Sequence, residues 1–168
     1  SNGDTVYVSP GTYVENINFL GKNILLKSTD GAAATILEQA NQNSAIVSFV
    51  SGETRSAEIN GMTLRNSQVM PAIYCTNSKP KIAGCIIHGC RGDYASAIWA
   101  DQAAPAITDN TIYSNEAQVQ SSVYIYGSAD SVLVSGNRIS SDINSLMVHD
   151  ASAPVHVIGN TFSDNQIN

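Results

Sequence analysis

The sequence predicts an all-β fold, a right-handed single-stranded parallel β-helix of about six to seven coils, and three observations lead to this prediction. A short motif recurs at steps of 23 to 27 residues. Between its copies lie runs of three to five residues with alternating β-branched side chains, separated by Gly, Asn, Asp, Ser and Pro. No segment has the apolar periodicity of an amphipathic helix.

The repeated motif is an apolar strand, a bend and a second apolar strand. Its five copies span residues 59–64, 82–87, 107–112, 134–139 and 157–162. The third position is Gly or Asp in every copy, which suits a left-handed backbone corner. The repeats lack a leucine-rich consensus and are shorter than propeller blades. The remaining architecture is a stack of coils whose short parallel strands pair about 4.8 Å apart.

Asparagine follows the bend in three copies, at Asn110, Asn137 and Asn160. Stacked asparagines can hydrogen-bond along the axis of a β structure and satisfy the backbone groups of a turn. We therefore assign these three residues to a structural ladder and not to catalysis.

Composition bounds the domain organisation and the class of partner. The 168 residues are 43% hydrophobic, enough for one continuous core, so residues 1–168 are predicted to form a single domain. The net charge of −6 and eight scattered Lys and Arg residues exclude a nucleic-acid partner and an anionic membrane surface. No apolar run approaches the length of a membrane span.

The three cysteines, Cys75, Cys85 and Cys90, are interpreted as buried free thiols. Cys85 and Cys90 are expected on one strand, where five residues of extended chain separate them too far for a disulfide. Neither a CxxC pair nor a Cys/His pairing with the spacing of a zinc site occurs, so no metal site and no cofactor are predicted.

The first third of the chain resembles a known superfamily. Residues 3–17 (GDTVYVSPGTYVENI), 21–28 (GKNILLKS) and 35–37 (TIL) are similar to the opening coils of the pectin-lyase-like superfamily, which includes pectin methylesterases, pectate lyases and many secreted or surface proteins. The resemblance extends over the chain at the level of fold. It implies a secreted, periplasmic or cell-surface location.

Departures from these relatives are specific. Residues 11–15 (GTYVE) match the first methylesterase motif, but the later segments that carry the catalytic aspartates are absent. The arginines lack the nearby proline typical of pectate lyases. The relatives usually begin with a capping helix that is not seen before Ser1, so we expect a segment of a longer chain, or open ends that associate end to end.

Aromatic residues recur one strand upstream of the bend. Counting eleven residues back from positions 84, 109, 136 and 159 gives an apolar column, and the next residues are Tyr74, Trp99, Tyr126 and His149. Since strands alternate faces, these four are predicted to form one external column. Such a column can stack sugar rings, or its rings can pack on each other for stability.

Three functional interpretations follow. The first is a module that binds polysaccharide along Tyr74, Trp99, Tyr126 and His149. The second is a polysaccharide lyase or glycoside hydrolase in which Asp101, Asp150 and His149 are the catalytic candidates. A lyase acts on a uronate sugar, and it would need a cation, Ca²⁺ or Arg, to neutralise the carboxylate of that sugar. The third is a structural or adhesin spacer.

Overall fold

A computed structural model of the chain describes residues 1–140, 142 and 144–165. Within these residues the regular structure consists of strands, and no helix is formed. In chain order the strands are β1 (Thr5–Val8), β2 (Gly11–Val14), β3 (Ile17–Asn18), β4 (Leu25–Ser28), β5 (Thr35–Glu38), β6 (Val47–Phe49), β7 (Glu58–Asn60), β8 (Thr63–Arg65), β9 (Ile73–Thr76), β10 (Lys81–Ala83), β11 (Ile86–His88), β12 (Arg91–Gly92), β13 (Ala95–Asp101), β14 (Ala106–Thr108), β15 (Thr111–Tyr113), β16 (Glu116–Ala117), β17 (Ser121–Tyr126), β18 (Val132–Ser135), β19 (Arg138–Ser140), β20 (Leu146–His149), β21 (Val155–Ile158) and β22 (Thr161–Ser163).

The strands stack into three long parallel sheets that run along one axis. The first sheet has the order β1-β4-β7-β10-β14-β18-β21, and the second has the order β2-β5-β8-β11-β15-β19-β22. The third has the order β3-β6-β9-β13-β17-β20, and β12 pairs with β16 beside it. Seven strands in a stack correspond to about six turns between the first strand and the last. The predicted all-β parallel β-helix is confirmed.

The core consists of aliphatic columns that follow the strand pairing. Ile59, Ile82, Ile107 and Val134 pair across four coils of the first sheet, and each is fully buried. A matching buried column from the second sheet contains Leu64, Ile87, Ile112 and Ile139. Burial of each such side chain contributes about 1.5–3 kcal/mol relative to exposure. Each coil therefore gains its stability from the coils above and below it.

The corner between the first and second sheets has the predicted left-handed backbone. The φ angles are 67° at Gly61, 59° at Gly84, 57° at Asp109, 66° at Gly136 and 63° at Gly159. Glycine adopts this region without strain, and aspartate is among the side chains that tolerate it. The corner directs the following residue of each coil toward the interior.

That following residue forms a ladder of hydrogen bonds at Asn110, Asn137 and Asn160. The Oδ1 atom of Asn137 accepts the backbone N–H of Asn110 at 3.0 Å and its side-chain amide at 2.9 Å. Nδ2 of Asn137 donates to the carbonyl of Ile107 at 2.9 Å, and its backbone N–H donates to Asn160 at 2.9 Å. These bonds supply partners to backbone groups that would otherwise be buried without them.

A second ladder lies at the next corner. The backbone N–H of Cys90 donates to Asn115 at 3.1 Å, that of Asn115 donates to Asp142 at 2.7 Å, and that of Asp142 donates to Asn165 at 3.1 Å. Sequence analysis missed it, although each member follows a member of the first ladder by five residues. That constant spacing was the available signal.

Cysteines take the ladder positions in the coil before Asn110 and Asn115. The expected single strand carrying both residues is wrong, because Cys85 and Cys90 flank the short strand β11, which lies between left-handed corners at Gly84 and Gly89. All three cysteines are buried and free, as predicted. The Sγ atom of Cys85 lies 3.4 Å from the carbonyl oxygen of Ala83. The thiols thus fill space and make weak polar contacts at the corners.

The outermost strands of the first sheet carry exposed apolar side chains. Val6 and Tyr7 on β1 are 43% and 67% exposed, and Val157 and Ile158 on β21 are 45% and 58% exposed. A strand with one unpaired edge is a template for pairing with another strand. End-to-end self-association stays a prediction.

Replacing Asn137 by alanine tests the first ladder. The Asn137→Ala variant leaves the buried N–H of Asn110 and the carbonyl of Ile107 without their partners, so we expect the free energy of unfolding to fall by roughly 2–4 kcal/mol. Chemical denaturation measures this change. Asn43→Ala is the matched control, because Asn43 is exposed and its side chain makes no hydrogen bond to the described residues. An equal loss of free energy of unfolding in both variants would contradict a stabilising role for the ladder hydrogen bonds.

Asp142 is an acid at an asparagine position of the second ladder. It is 1% exposed, and its Oδ2 has no hydrogen-bond partner among the described residues. In the coils on either side, the Nδ2 atoms of Asn115 and Asn165 donate to the carbonyls of Ile87 and Ile139 at 3.1 and 3.0 Å. A carboxylate oxygen cannot donate such a bond. Burial raises the pKa of Asp142 to about 6.

We expect Asp142 to make the stability of the protein depend on pH. Its folded pKa lies above the ordinary value of about 3.9, so the folded state binds this proton more tightly, and the free energy of unfolding falls by roughly 3 kcal/mol as pH rises from about 4 to about 6. The neighbouring Cys90 thiol does not titrate in this window, because burial raises its pKa.

The Asp142→Asn variant can donate the missing bond at every pH. Denaturation between pH 4 and 7 should show that it loses this pH dependence and is more stable than the wild type at pH 7. Asp30→Asn, which removes an exposed carboxylate, should keep the wild-type slope. A wild-type slope in Asp142→Asn would contradict the assignment.

Candidate functional site

The predicted aromatic residues lie on the outer face of the third sheet. On β9 and β13 the inward residues Ile73 and Ile98 are fully buried, while their neighbours Tyr74 and Trp99 are partly exposed. On β17 the inward residues Val123 and Ile125 are fully buried and Tyr126 is partly exposed, whereas Tyr124, on the outer side, is only 7% exposed. Alternation along each strand therefore puts the rings outside, on the predicted face.

The predicted single column is wrong in its register at one step. Trp99 pairs with Tyr124 and not with Tyr126, because Tyr126 lies opposite Asp101. The connection to the first sheet explains the shift. Ala106 follows Asp101 by five positions, whereas its partner Leu133 follows Tyr126 by seven. Counting back a fixed eleven residues from the bend therefore lands two residues late on β17.

The result is two adjacent columns on the outer face. The first contains Tyr74, Trp99 and Tyr124, and the second contains Thr76, Asp101, Tyr126 and His149. Tyr94, in the turn before β13, lies against Trp99. We call the six rings Tyr74, Tyr94, Trp99, Tyr124, Tyr126 and His149 the aromatic face.

Two members of the aromatic face were missed from sequence. Tyr124 lies two residues before Tyr126 on β17, and the two therefore share a face of the strand. Strand alternation alone would have identified Tyr124 as a second outward ring. Tyr94 is in a turn, 48% exposed, and no repeat position marks it. Its place depends on how the turn folds back against Trp99.

The rings contact one another in two groups, one around Trp99 and one around Tyr126. Centroids are 5.1 Å apart for Tyr74 and Trp99 and 5.2 Å apart for Tyr94 and Trp99, with the planes tilted by 55° and 30°. Tyr126 stacks on His149 at 5.6 Å with an angle of 12°. Rings at these separations attract each other. Part of their surface is therefore used in packing, and part stays open to solvent.

An open pocket of about 280 Å³ lies between the two columns. Its lining consists of Tyr94, Trp99, Asp101, Tyr124 and Tyr126. Asp101 is the last residue of β13, and the chain turns away at Gln102, whose φ is 50°. The pocket thus has aromatic walls and one carboxylate.

A second carboxylate lies near the same rings. Asp150 follows β20 with a φ of 53°, and its Oδ2 is 3.2 Å from Nδ1 of His149. Burial, and then the charges of Tyr126, Asp150 and Asp101, raise the pKa of Tyr124. Burial and Asp101 raise the pKa of Tyr74. Both phenols are therefore neutral hydrogen-bond donors, and the catalytic candidates Asp101, Asp150 and His149 all lie at the aromatic face.

The indole N–H of Trp99 is buried and has no acceptor among the residues that the structure describes. An unpaired buried donor costs about 1–3 kcal/mol. Among the described residues, Trp99 contacts the rings of Tyr74 and Tyr94, and its Nε1 makes no hydrogen bond to them.

A stacked pair of rings also occurs on the second sheet. His88 and Tyr113 lie in adjacent coils with centroids 4.9 Å apart and an angle of 7°. Tyr113, like Tyr126, is partly exposed and stacked on a histidine. The pair is isolated from the aromatic face and provides an internal control for it.

Two kinds of feature are absent from the described residues. Residues 1–140, 142 and 144–165 contain no group of three His, Cys, Asp or Glu side chains that could hold a metal ion. In the same part of the chain no helix has the length and hydropathy needed to cross a bilayer.

Comparison with known proteins identifies a family and nothing finer. Neither the curated proteins nor the solved structures gave a significant match. The family model described as a right-handed β-helix region matches residues 5–168. With its parallel three-sheet solenoid, the chain belongs to the family of right-handed β-helix proteins.

Proposed function

We propose that the protein binds polysaccharide along the aromatic face, as a secreted or surface-exposed β-helix module. The observation that carries this proposal is the presence of partly exposed rings on consecutive parallel strands of the third sheet. Strands spaced about 4.8 Å apart present rings at a repeat similar to the advance of a sugar unit along a chain. Ring faces stack on the apolar faces of sugars.

Polar groups beside the rings support this ligand class. Asp101 lines the pocket, and the hydroxyl groups of Tyr94 and Tyr126 are carried by rings that line it too. Carboxylates and phenols can both accept hydrogen bonds from sugar hydroxyls, and phenols can donate them. A few polar groups set among aromatic walls is the usual composition of a small-molecule site.

The competing interpretation is that the rings serve packing alone. The contacts between Tyr74 and Trp99 and between Tyr126 and His149 are consistent with that role. The two interpretations differ in outcome, because packing alone gives no saturable response to any glycan.

Titration of tryptophan fluorescence tests the proposal directly. Trp99 is the only tryptophan, so its emission reports on the aromatic face alone. We expect a saturable change with at least one soluble polysaccharide from a panel of neutral, acidic and amino glycans. The titrations are run with and without Ca²⁺, because a bound cation is needed only by a lyase-like site.

A matched pair of variants locates the binding. Tyr126→Ala should weaken binding about tenfold, because one stacked ring contributes on the order of 1 kcal/mol. Tyr113→Ala removes a tyrosine that is also stacked on a histidine, but on the second sheet, and should leave affinity unchanged. No binding by any glycan, or equal loss in both variants, would overturn the proposal.

Cleavage of the bound polysaccharide is a second candidate function. It is favoured by one geometric observation, that two carboxylates lie at the aromatic face: Asp101 ends β13 and lines the pocket, and Asp150 directly follows His149. Asp101 and His149 are two strands apart, and Asp150 follows directly, so the backbone positions are roughly 10 Å apart. An enzyme releases unsaturated uronides or reducing ends, whereas a binding module does not.

A further inference from the structure

The pocket of the aromatic face differs from a flat sugar platform in that its rings line an open concave space. Tyr94 and Trp99 lie together on one side, with centroids 5.2 Å apart. Tyr124 and Tyr126, from one strand, lie 6.2 Å apart at an angle of 29°. All four rings line the same volume of about 280 Å³. A space of this size fits a small group of a ligand better than a whole sugar chain.

Aromatic rings favour a positive charge placed against their faces. The face of each ring carries partial negative charge, and a cation within about 6 Å of the centroid is attracted to it, most strongly with tryptophan. Several rings around one space add to this attraction, and such arrangements suit ammonium groups that bear methyl or methylene substituents. Four rings are available in this pocket.

Two carboxylates near the rings add to the preference for a cation. Asp101 lines the pocket directly. Asp150 follows His149, the ring next to Tyr126 in the second column, and its Oδ2 is 3.2 Å from Nδ1 of His149. No Lys or Arg side chain lines the pocket. The electrostatics therefore oppose an anionic uronate and favour a cation.

An inorganic metal ion fits the pocket less well than an organic cation. A divalent ion needs several oxygen or nitrogen ligands, and the lining contributes one carboxylate. No set of three candidate ligands occurs anywhere in the described residues. An alkylammonium group needs only ring faces and one counter-charge.

We infer that the pocket lined by Tyr94, Trp99, Asp101, Tyr124 and Tyr126 binds an organic ammonium group. The group belongs to an amino sugar of a glycan or to a quaternary ammonium headgroup such as choline, which share this chemistry. The inference rests on the proposed function, because it names the charge class of ligand that the same face selects.

The test compares choline with 3,3-dimethylbutan-1-ol, a neutral carbon isostere of the same shape. Trp99 fluorescence should respond saturably to choline, and the isostere should bind at least about tenfold more weakly. Equal binding of the two, or no response to any ammonium compound, would overturn the inference.

Charge variants identify the counter-ion. Asp101→Asn should weaken choline binding about tenfold and leave the isostere unchanged. Asp30→Asn removes the same charge from an exposed residue between β4 and β5 and should change neither. Equal effects of the two variants would show a dependence on net charge alone and would contradict a site at Asp101.

Oligosaccharides separate the two sources and the two proposals. Tighter binding of glucosamine oligomers than of choline, lost on N-acetylation, identifies an amino sugar, and the reverse order identifies a headgroup. Both outcomes support the ammonium site. Binding of neutral glycans without any ammonium preference would overturn this inference and leave the proposed function intact. Choline binding without polysaccharide binding would support the ammonium site and overturn the proposed function.

Discussion

Hydrogen bonding between successive coils is the constraint on which the structure depends. No coil can satisfy its own backbone, because each strand pairs only with the equivalent strands above and below it. The ladders at the corners extend the same principle to side chains, since Asn137 bonds to the coils on both sides of it. A change in one coil is therefore transmitted to its neighbours as a change in register or as an unpaired group.

The composition of the aromatic face is a consequence of this register. Strand alternation determines that Trp99 points outward, but the pairing of β13 with β17 determines which residue lies beside it. The two extra residues between Tyr126 and Leu133 are absorbed in the connection, and the strands on either side stay paired. As a result a carboxylate, Asp101, lies beside Tyr126 in the second column, and the outer face has a pocket lined by rings and this carboxylate instead of a single line of rings.

Much of the fold was predictable because the determinants repeat. The bend at positions 61, 84, 109, 136 and 159 recurs in every copy of the motif, and the structure has the left-handed corner there. The outward parity of Tyr74, Trp99 and Tyr126 followed from alternation. The register at Tyr124 was not predictable by counting, because connections between strands vary in length without a sequence mark. The position of Tyr94 depends on a single turn, and a non-repeating feature has no pattern to reveal it.

The proposed binding depends on the aromatic rings and on the carboxylate of Asp101. The pocket brings them together only if Trp99 pairs with Tyr124. Nuclear magnetic resonance measures that pairing most directly, through inter-strand nuclear Overhauser effects between backbone protons of β13 and β17. We expect cross-peaks that pair Trp99 with Tyr124 and Asp101 with Tyr126. Cross-peaks that pair Trp99 with Tyr126 would contradict the register, and the pocket with its carboxylate would not exist in this form.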